Sequence, residues 1–152
     1  MKIYFDMDGT IADLYANPDW LSLLEASDPT PYSTARPLVN LSLLARYIHK
    51  LQEKGYQVGI ISWLSKDSTE AYDTAVTEAK LRWLRKHLPS VQFDSIDIIP
   101  YGEPKWGLVE ADCRNILFDD ERRNTVEWVC QWRGMGYHPR EIMRVMRELA
   151  KG

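Results

Sequence analysis

The residues Phe5-Asp6-Met7-Asp8-Gly9-Thr10 begin at the last position of a short, mostly apolar run, residues 2–5. That run is rich in β-forming residues and is ended by two acids and a glycine, which predicts a buried strand that feeds a turn. The carboxylates of Asp6 and Asp8 are then expected at the carboxyl end of the first strand.

Three further apolar segments predict strands, and helical patterns lie between them. The strands are expected at residues 56–62, 93–99 and 115–118, and the longer helices at 40–55, 69–87, 124–132 and 139–149. Residues 27–37 contain three prolines and predict a loop. A fifth strand is hard to locate near residues 134–137. Strands that alternate with helices indicate an α/β, three-layer, Rossmann-like fold with a central parallel sheet.

Polar residues lie at the ends of three of the four predicted strands, the first, second and fourth. Ser62 ends the second strand, Asp119 and Asp120 end the fourth, and Lys105 opens the short helix before the fourth. Ligands of parallel α/β sheets bind at the carboxyl ends of the strands. Carboxylates that converge there repel one another unless a cation lies among them. An oxygen-only ligand set favours a hard ion, and Mg²⁺ fits best.

The same residue types suit phosphoryl transfer. A carboxylate can attack phosphorus and form an aspartyl phosphate, and a second carboxylate two residues on can protonate the leaving alcohol. The Ser62 hydroxyl and the Lys105 ammonium can bind the non-bridging oxygens. Gly9 lets the chain turn sharply and is expected to keep backbone N–H groups near the phosphate.

Residues 5–10 resemble the first motif of the haloacid dehalogenase-like (HAD) phosphohydrolases. Gly59-Ile60-Ile61-Ser62 is similar to their second motif, Lys105 lies where their third-motif lysine would be, and Leu117-Phe118-Asp119-Asp120 resembles their acidic fourth motif. The resemblance extends from residue 2 to about residue 132. Because only about 55 residues separate the first two motifs, the cap that covers the site in larger members is expected to be minimal or absent.

The resemblance implies a role for each of these residues. Asp6 is expected to be the nucleophile, and Asp8 the acid and base. The Mg²⁺ ligands it implies are Asp6, the backbone carbonyl of Asp8, and Asp120. Asp119 is the alternative to Asp120 as the direct ligand. The implied substrate-binding residues are Ser62, Lys105 and Gly9.

Two finer resemblances concern the substrate. The segment from Lys80 to Leu88, with Trp83 three residues after Lys80, looks like the K-x-x-W helix of the 5′(3′)-deoxyribonucleotidase-like branch. The segment from Asp119 to Asn124 also suits the small magnesium-dependent phosphatases. The expected activity is therefore Mg²⁺-dependent phosphomonoester hydrolysis, with nucleoside monophosphates as the first substrates to test.

Three other functions compete with this one. A dehalogenase of the same superfamily would keep Asp6 as nucleophile but has no use for the acid at Asp8. A receiver-like signalling domain also uses acids, a phospho-accepting Asp, a hydroxyl and a lysine, but in another order along the chain. A catalytically inactive binding protein would not need all of the acids. A calcium loop of the EF-hand type is excluded, because Gly9 and Asn17 stand at the wrong loop positions.

Composition limits the partners and the compartment. The 152 residues are expected to form a single domain, and the net charge of −3 argues against nucleic acid polymers. Apolar runs are too short for a membrane span, and the N-terminal residues do not resemble a signal peptide. Cys113 and Cys130 lack zinc or disulfide spacing, so reduced, buried thiols and a cytoplasmic location are expected. The sequence does not predict the oligomeric state.

Aromatic residues near the motifs are candidates for the wall of a substrate pocket. They are Trp20, Tyr32, Trp63 and Trp106. Arg36 could bind a phosphate or sugar from the loop at 27–37, whereas Trp83 has the helical spacing of a core residue.

Overall fold

The computed structural model of the chain describes residues 1–152. The strands are β1 (Lys2–Phe5), β2 (Ala12–Asp13), β3 (Arg36–Pro37), β4 (Gln57–Trp63), β5 (Ser95–Ile99), β6 (Ile116–Phe118) and β7 (Met135–Tyr137). The α-helices are α1 (Trp20–Glu25), α2 (Thr30–Thr34), α3 (Leu41–Glu53), α4 (Glu70–His87), α5 (Arg122–Cys130) and α6 (Ile142–Lys151). Short 3₁₀ helices cover Leu14–Ala16, Lys105–Leu108 and Pro139–Glu141.

Five strands form the parallel central sheet, in the order β5-β4-β1-β6-β7. Counted along the chain, this is the order 3-2-1-4-5, with the first strand in the middle. The four predicted strands and the predicted α/β class are confirmed. Receiver-like domains have the order 2-1-3-4-5, so this topology excludes that alternative.

The fifth strand, β7, is the one that the sequence analysis did not locate. It is three residues long and contains Gly136, so it lacks the apolar run that marks the other strands. Gly136 is needed because a Cβ there would lie 2.7 Å from the Cβ of Thr125 on α5. Close packing of helix on strand, rather than a hydrophobic pattern, specifies this edge of the sheet.

The three central strands, β4, β1 and β6, are buried on both faces, which explains why they are mostly apolar. Ile3 and Phe5 point into the larger core, formed with α3, α4 and α6. Tyr4 points to the opposite face, where it packs against Leu117 and Trp128. The three layers are therefore a helical layer, the sheet, and a thinner layer with α5.

Two helix starts follow directly from capping side chains. The Asn40 carboxamide oxygen accepts a hydrogen bond from the Leu43 N–H at 3.1 Å and begins α3. The Thr69 hydroxyl accepts from the Tyr72 N–H at 3.2 Å and begins α4. The sequence predicts the first start at Asn40 and the second at Ser68 or Thr69, since each of these side chains can satisfy a backbone donor that the helix leaves free. The structure uses Asn40 and Thr69.

Residues 14–38 form a small cap segment between the first motif and α3. The predicted loop at 27–37 is wrong in part, because it contains α2 and because β3 pairs antiparallel with β2. Proline is tolerated in the first turn of a helix, and Pro31, the second residue of α2, is therefore compatible with it. The cap is minimal, as expected.

Hydrogen bonds fasten the cap segment to α4 and to the loop before it. The Tyr72 hydroxyl donates to the Asp28 carbonyl at 3.0 Å, and the Trp83 indole N–H donates to the Ala35 carbonyl at 2.7 Å. The hydroxyls of Tyr32 and Ser65 are hydrogen-bonded at 2.5 Å. The cap segment is thus held by groups whose loss would leave buried polar atoms unpaired.

The expectation of buried thiols is wrong, because Cys113 and Cys130 are both exposed and unpaired. Cys113 lies in the turn before β6, and Cys130 ends α5, so neither position faces the core. None of the helices combines the length and the hydropathy that a membrane crossing requires.

Replacement of Trp83 by alanine should lower the free energy of unfolding by about 3–5 kcal/mol, the usual loss for a large aromatic residue in a core. Trp83 is 1% exposed and also holds the cap segment through Ala35. Urea unfolding followed by circular dichroism measures the change. The matched control is Trp132→Ala, at a site 77% exposed, which should change stability by less than about 0.5 kcal/mol. Equal losses in the two variants would contradict this packing.

Candidate active site

Pairing of β1 with β6 brings the acids of two motifs together. Phe5 is in register with Phe118, and the Asp6 N–H donates to the Phe118 carbonyl at 2.9 Å. The segments that follow β1 and β6 therefore leave the sheet at the same edge. Carboxylate oxygens of Asp6, Asp119 and Asp120 lie within 4.8 Å of one another. The predicted convergence of carboxylates is confirmed for these three residues.

Lys105 lies between two of these carboxylates. Its Nζ donates to Asp6 Oδ1 at 2.8 Å and to Asp119 Oδ2 at 2.7 Å, and its side chain is 2% exposed. Burial lowers the pKa of Lys105, but the charges of Asp6 and Asp119 outweigh it and raise the pKa above its usual value. The 3₁₀ helix that begins at Lys105 therefore holds the Lys105 ammonium in a fixed position in the acidic cluster.

The two acids of the fourth motif have different surroundings. Asp119 accepts hydrogen bonds from the Glu121 N–H at 2.9 Å and from the Asn124 amide at 3.0 Å, in addition to Lys105. The Asp120 carboxylate has only a long hydrogen-bond contact with a protein donor, 3.4 Å from the Thr10 hydroxyl, whose one proton lies closer to Asp6 Oδ2 at 2.9 Å. The Asp119 carboxylate is thus occupied by protein hydrogen-bond donors, whereas the Asp120 carboxylate has oxygens available to bind a ligand.

Electrostatics at Asp120 favour a cation. Burial, followed by the charges of Asp6 and Asp119, raises the pKa of Asp120 to about 7. The same causes, burial first and Asp6 second, raise the pKa of Asp119 to about 6. Carboxylates that repel one another at this distance are stabilised when a divalent ion lies between them.

The donor set fits Mg²⁺. Asp6 and Asp120 offer hard carboxylate oxygens, and no nitrogen or sulfur ligand belongs to the cluster. Mg²⁺ is commonly bound in proteins by one or two carboxylates and several waters, so it does not need a complete protein cage. Thr10, which is buried, donates to Asp6 Oδ2 at 2.9 Å and, with Lys105 on Oδ1, fixes the orientation of that carboxylate.

Asp8 does not belong to the acidic cluster. Its Oδ2 accepts a hydrogen bond from Lys80 Nζ at 2.7 Å, and its side chain lines the same cleft as Asp6. Burial raises the pKa of Asp8, and the charge of Lys80 partly offsets the rise. The ligand implied at this position is the backbone carbonyl, which remains a prediction.

Ser62 lies beneath the cleft rather than on its wall. It is fully buried, and its hydroxyl oxygen accepts a hydrogen bond from Lys80 Nζ at 2.7 Å. The expected contact with a phosphoryl oxygen therefore remains a prediction, while the contact with Lys80 is the one that the structure contains.

Lys80 is the site residue that the sequence analysis missed. It was noted as part of a K-x-x-W helix but was given no role. The signal is its place on the apolar stripe of α4, where Tyr72, Val76 and Leu84 are buried at intervals of four residues. A lysine on such a stripe must have buried partners, because an unpaired buried charge is strongly unfavourable.

The absence of a side chain at Gly9 leaves space for the Asp120 carboxylate. The N–H of Gly9 itself donates to the Ala12 carbonyl at 2.8 Å. The expectation that N–H groups of this turn lie near a phosphate remains a prediction. The φ of Gly9 is +76°, and a Cβ there would lie 2.3 Å from Asp120 Oδ2. Only glycine lets the turn pass this close to the Asp120 carboxylate.

A cleft of about 590 Å³ opens above the acids. Asp6, Asp8, Lys105, Asp119 and Asp120 line its floor, and aromatic residues form much of its walls: Tyr15, Trp20, Tyr32, Trp63 and Tyr101. Three of the four candidate wall residues are thus confirmed. The fourth, Trp106, lies outside the cleft, under the guanidinium of Arg133. Arg36 is exposed on β3 and does not line the cleft.

Comparison with solved structures finds seven matching chains. One is the crystal structure of D,D-heptose 1,7-bisphosphate phosphatase from Burkholderia thailandensis, with 15% sequence identity and a TM-score of 0.54. The match covers 86% of this chain and 73% of that chain. No family model matches the sequence. A search of curated proteins finds no match either. At this identity the likeness concerns the fold, and it supports the HAD-like fold expected from the motifs.

We expect Mg²⁺ to bind beside Asp120 and to raise the midpoint of thermal unfolding. Replacement of Gly9 by alanine should abolish that rise, because the new methyl group would displace the Asp120 carboxylate. Thermal unfolding with Mg²⁺ and with EDTA measures the difference. Gly55→Ala is the matched control, since Gly55 also has a positive φ, +90°, but no atom within 4 Å of the added Cβ. Both variants should lose about 1–2 kcal/mol to backbone strain, but only Gly9→Ala should lose the response to Mg²⁺. If Gly9→Ala were stabilised by Mg²⁺ as much as the wild type, Asp120 would not be a metal ligand.

Proposed function

We propose that this protein is a Mg²⁺-dependent phosphomonoester hydrolase that forms an aspartyl phosphate on Asp6. The observation that carries the proposal is the Lys105 ammonium held between Asp6 and Asp119 on the floor of an open cleft. A fixed cation beside a carboxylate nucleophile is what attack on an anionic phosphate ester requires. The HAD-like fold and the phosphatase among its structural neighbours support the same class of reaction.

The first chemical step uses the two acids of the first motif. An oxygen of Asp6 forms a bond to phosphorus as the bond from phosphorus to the leaving oxygen breaks. A proton passes from Asp8 to that leaving oxygen, so the alcohol departs neutral. Lys105 and Thr10 hold the Asp6 carboxylate in one orientation, which lowers the entropic cost of in-line attack.

The second step returns the enzyme to its starting state. A water molecule attacks the phosphorus of the aspartyl phosphate and gives a proton to Asp8, and the bond from phosphorus to Asp6 breaks. Inorganic phosphate leaves with the oxygen of the attacking water. When bound at Asp6 and Asp120, Mg²⁺ would supply positive charge to the phosphoryl oxygens and offset the repulsion between the two carboxylates.

Nucleoside monophosphates are the proposed substrates. The rings of Tyr15 and Trp20 pack edge to face at 5.0 Å on one wall of the cleft, close to the acids. Trp63 and Tyr101, whose ring centroids are 5.1 Å apart, also line the cleft. Aromatic side chains bind flat, planar bases by stacking. A nucleoside monophosphate would therefore place its phosphate at the acidic floor of the cleft and its base against these aromatic rings.

A dehalogenase is the rival that the same nucleophile permits. Halide is a stable anion and needs no proton, so the buried acid at Asp8 would serve no purpose. The two reactions differ in the fate of water oxygen. Hydrolysis of an aspartyl phosphate at phosphorus puts ¹⁸O from water into phosphate, whereas hydrolysis of an alkyl ester at its carbonyl carbon puts ¹⁸O into Asp6.

Phosphate release from a panel of nucleotides, sugar phosphates and phosphopeptides, with Mg²⁺ or with EDTA, tests the proposed function. We expect turnover that chelation removes and added Mg²⁺ restores. Asp6→Asn serves as the inactive control for a contaminating phosphatase. Turnover that persists after exhaustive chelation, or that survives in Asp6→Asn, would contradict the proposal.

Replacement of Asp8 by asparagine should lower kcat/KM for an alkyl phosphate by about 10²–10⁴, the usual contribution of a general acid. The same variant should keep most of its kcat/KM for p-nitrophenyl phosphate, because p-nitrophenolate leaves without a proton. Initial rates at low substrate concentration measure both values. Equal losses on the two esters would show that Asp8 is not the acid.

Replacement of Trp20 by alanine should raise KM for a nucleoside monophosphate by about tenfold, since stacking of one base on an aromatic ring contributes about 1–3 kcal/mol. KM for ribose 5-phosphate, which lacks the base, should not change. Steady-state kinetics on both substrates provide the comparison, and Trp132→Ala, outside the cleft, is the control. A parallel rise for both substrates would contradict a base-binding wall.

A further inference from the structure

The Lys80 side chain is almost completely buried, with 1% exposure, yet every one of its polar hydrogens has a partner. Its Nζ donates to Asp8 Oδ2 at 2.7 Å, to the Ser62 hydroxyl at 2.7 Å and to the Trp63 carbonyl at 2.6 Å. An ammonium group has three donors and no acceptor, so this arrangement uses its full capacity. The position of the ammonium is therefore fixed in three directions.

Two of the three partners belong to the end of β4. Ser62 and Trp63 are part of a strand that is paired on both sides, with β1 and with β5. The face of the Tyr32 ring, from the cap segment, lies 5.1 Å from Nζ. The strand end thus anchors the ammonium, and the third hydrogen bond connects this anchor to Asp8, which lies on the turn after β1.

The two oxygens of Asp8 have different surroundings. Oδ2 faces the ammonium, which cannot accept a proton. Oδ1 makes no hydrogen bond and is not among the buried unpaired atoms, so it is accessible from the cleft that Asp8 lines. Any proton on this carboxyl group is consequently confined to Oδ1, the oxygen on the substrate side.

We propose that Lys80 is a positioning residue for proton transfer, which holds Asp8 Oδ2 against the end of β4 so that Oδ1 faces the leaving oxygen of the substrate. This inference rests on the proposed phosphomonoesterase activity. Lys80 acts through Asp8 and not on the substrate, because it does not line the cleft.

The other lysine of the site has a separate task. Lys105 contacts Asp6 and Asp119 and makes no hydrogen bond to Asp8. Lys80 makes none to Asp6, Asp119 or Asp120. Each acid of the first motif therefore has its own ammonium, and removal of Lys80 should impair proton transfer while the nucleophile keeps its partner.

The test replaces Lys80 by methionine and measures kcat/KM, which covers binding and the first chemical step, for ethyl phosphate and for p-nitrophenyl phosphate. We expect a loss of about 10²-fold for ethyl phosphate, whose leaving group needs the proton, and of less than about fivefold for p-nitrophenyl phosphate. Lys86→Met, at an exposed position on the same helix, is the matched control and should change neither value. Equal losses on both esters, or no loss on ethyl phosphate, would overturn the inference.

A double-mutant cycle keeps the inference testable if Lys80→Met does not fold. Asp8→Asn with Lys80→Met removes both charges of the buried pair, so no unpaired charge remains. Compared with Asp8→Asn alone, the double variant should have the same kcat/KM for ethyl phosphate within about threefold. A further loss of tenfold or more would mean that Lys80 acts on something other than Asp8. A wild-type protein without turnover on either ester would refute the proposed function and the inference together.

Discussion

The site depends on one ammonium group placed among carboxylates. Three acids at the same edge of the sheet would repel one another, and Lys105 lowers that repulsion with two hydrogen bonds, to Asp6 and to Asp119. Strand order makes the contact possible, because β1 lies beside β6 and both end at this edge. Asp120 has no lysine partner, and in the proposed function a divalent cation supplies the positive charge beside it.

A second lysine separates the two acids of the first motif. Asp6 faces Lys105, while Asp8 faces Lys80 from the opposite side, so that neighbouring carboxylates on one turn have different partners. Different partners allow different tasks, and we assign attack to one carboxylate and proton transfer to the other. The helix that carries Lys80 also carries the groups that hold the cap segment, so the cleft floor and its cover share one support.

Much of this could be predicted from the sequence, because strand ends and acids are local features. The motif at residues 5–10 placed the first strand and its acids, and Asp119 followed from the last well-marked strand. The role of Lys80 could not be found in this way, since its partners are 17, 18 and 72 residues distant and only the tertiary fold joins them. The strand β7 was missed because packing against α5 specifies it. The burial of Ser62 was missed because the sequence around a serine at a strand end does not show whether its hydroxyl reaches the cleft or lies buried beneath the cleft floor.

The central claim is that Asp6 becomes phosphorylated, and chemical trapping tests it most directly. Asp8→Asn with p-nitrophenyl phosphate should form the intermediate readily and hydrolyse it slowly, because attack by water needs the missing base. Rapid quenching and reduction with borohydride should then convert residue 6 to homoserine, which mass spectrometry of the peptide detects. Release of p-nitrophenol with an unmodified Asp6 in every quenched sample would contradict the account and favour direct attack by water.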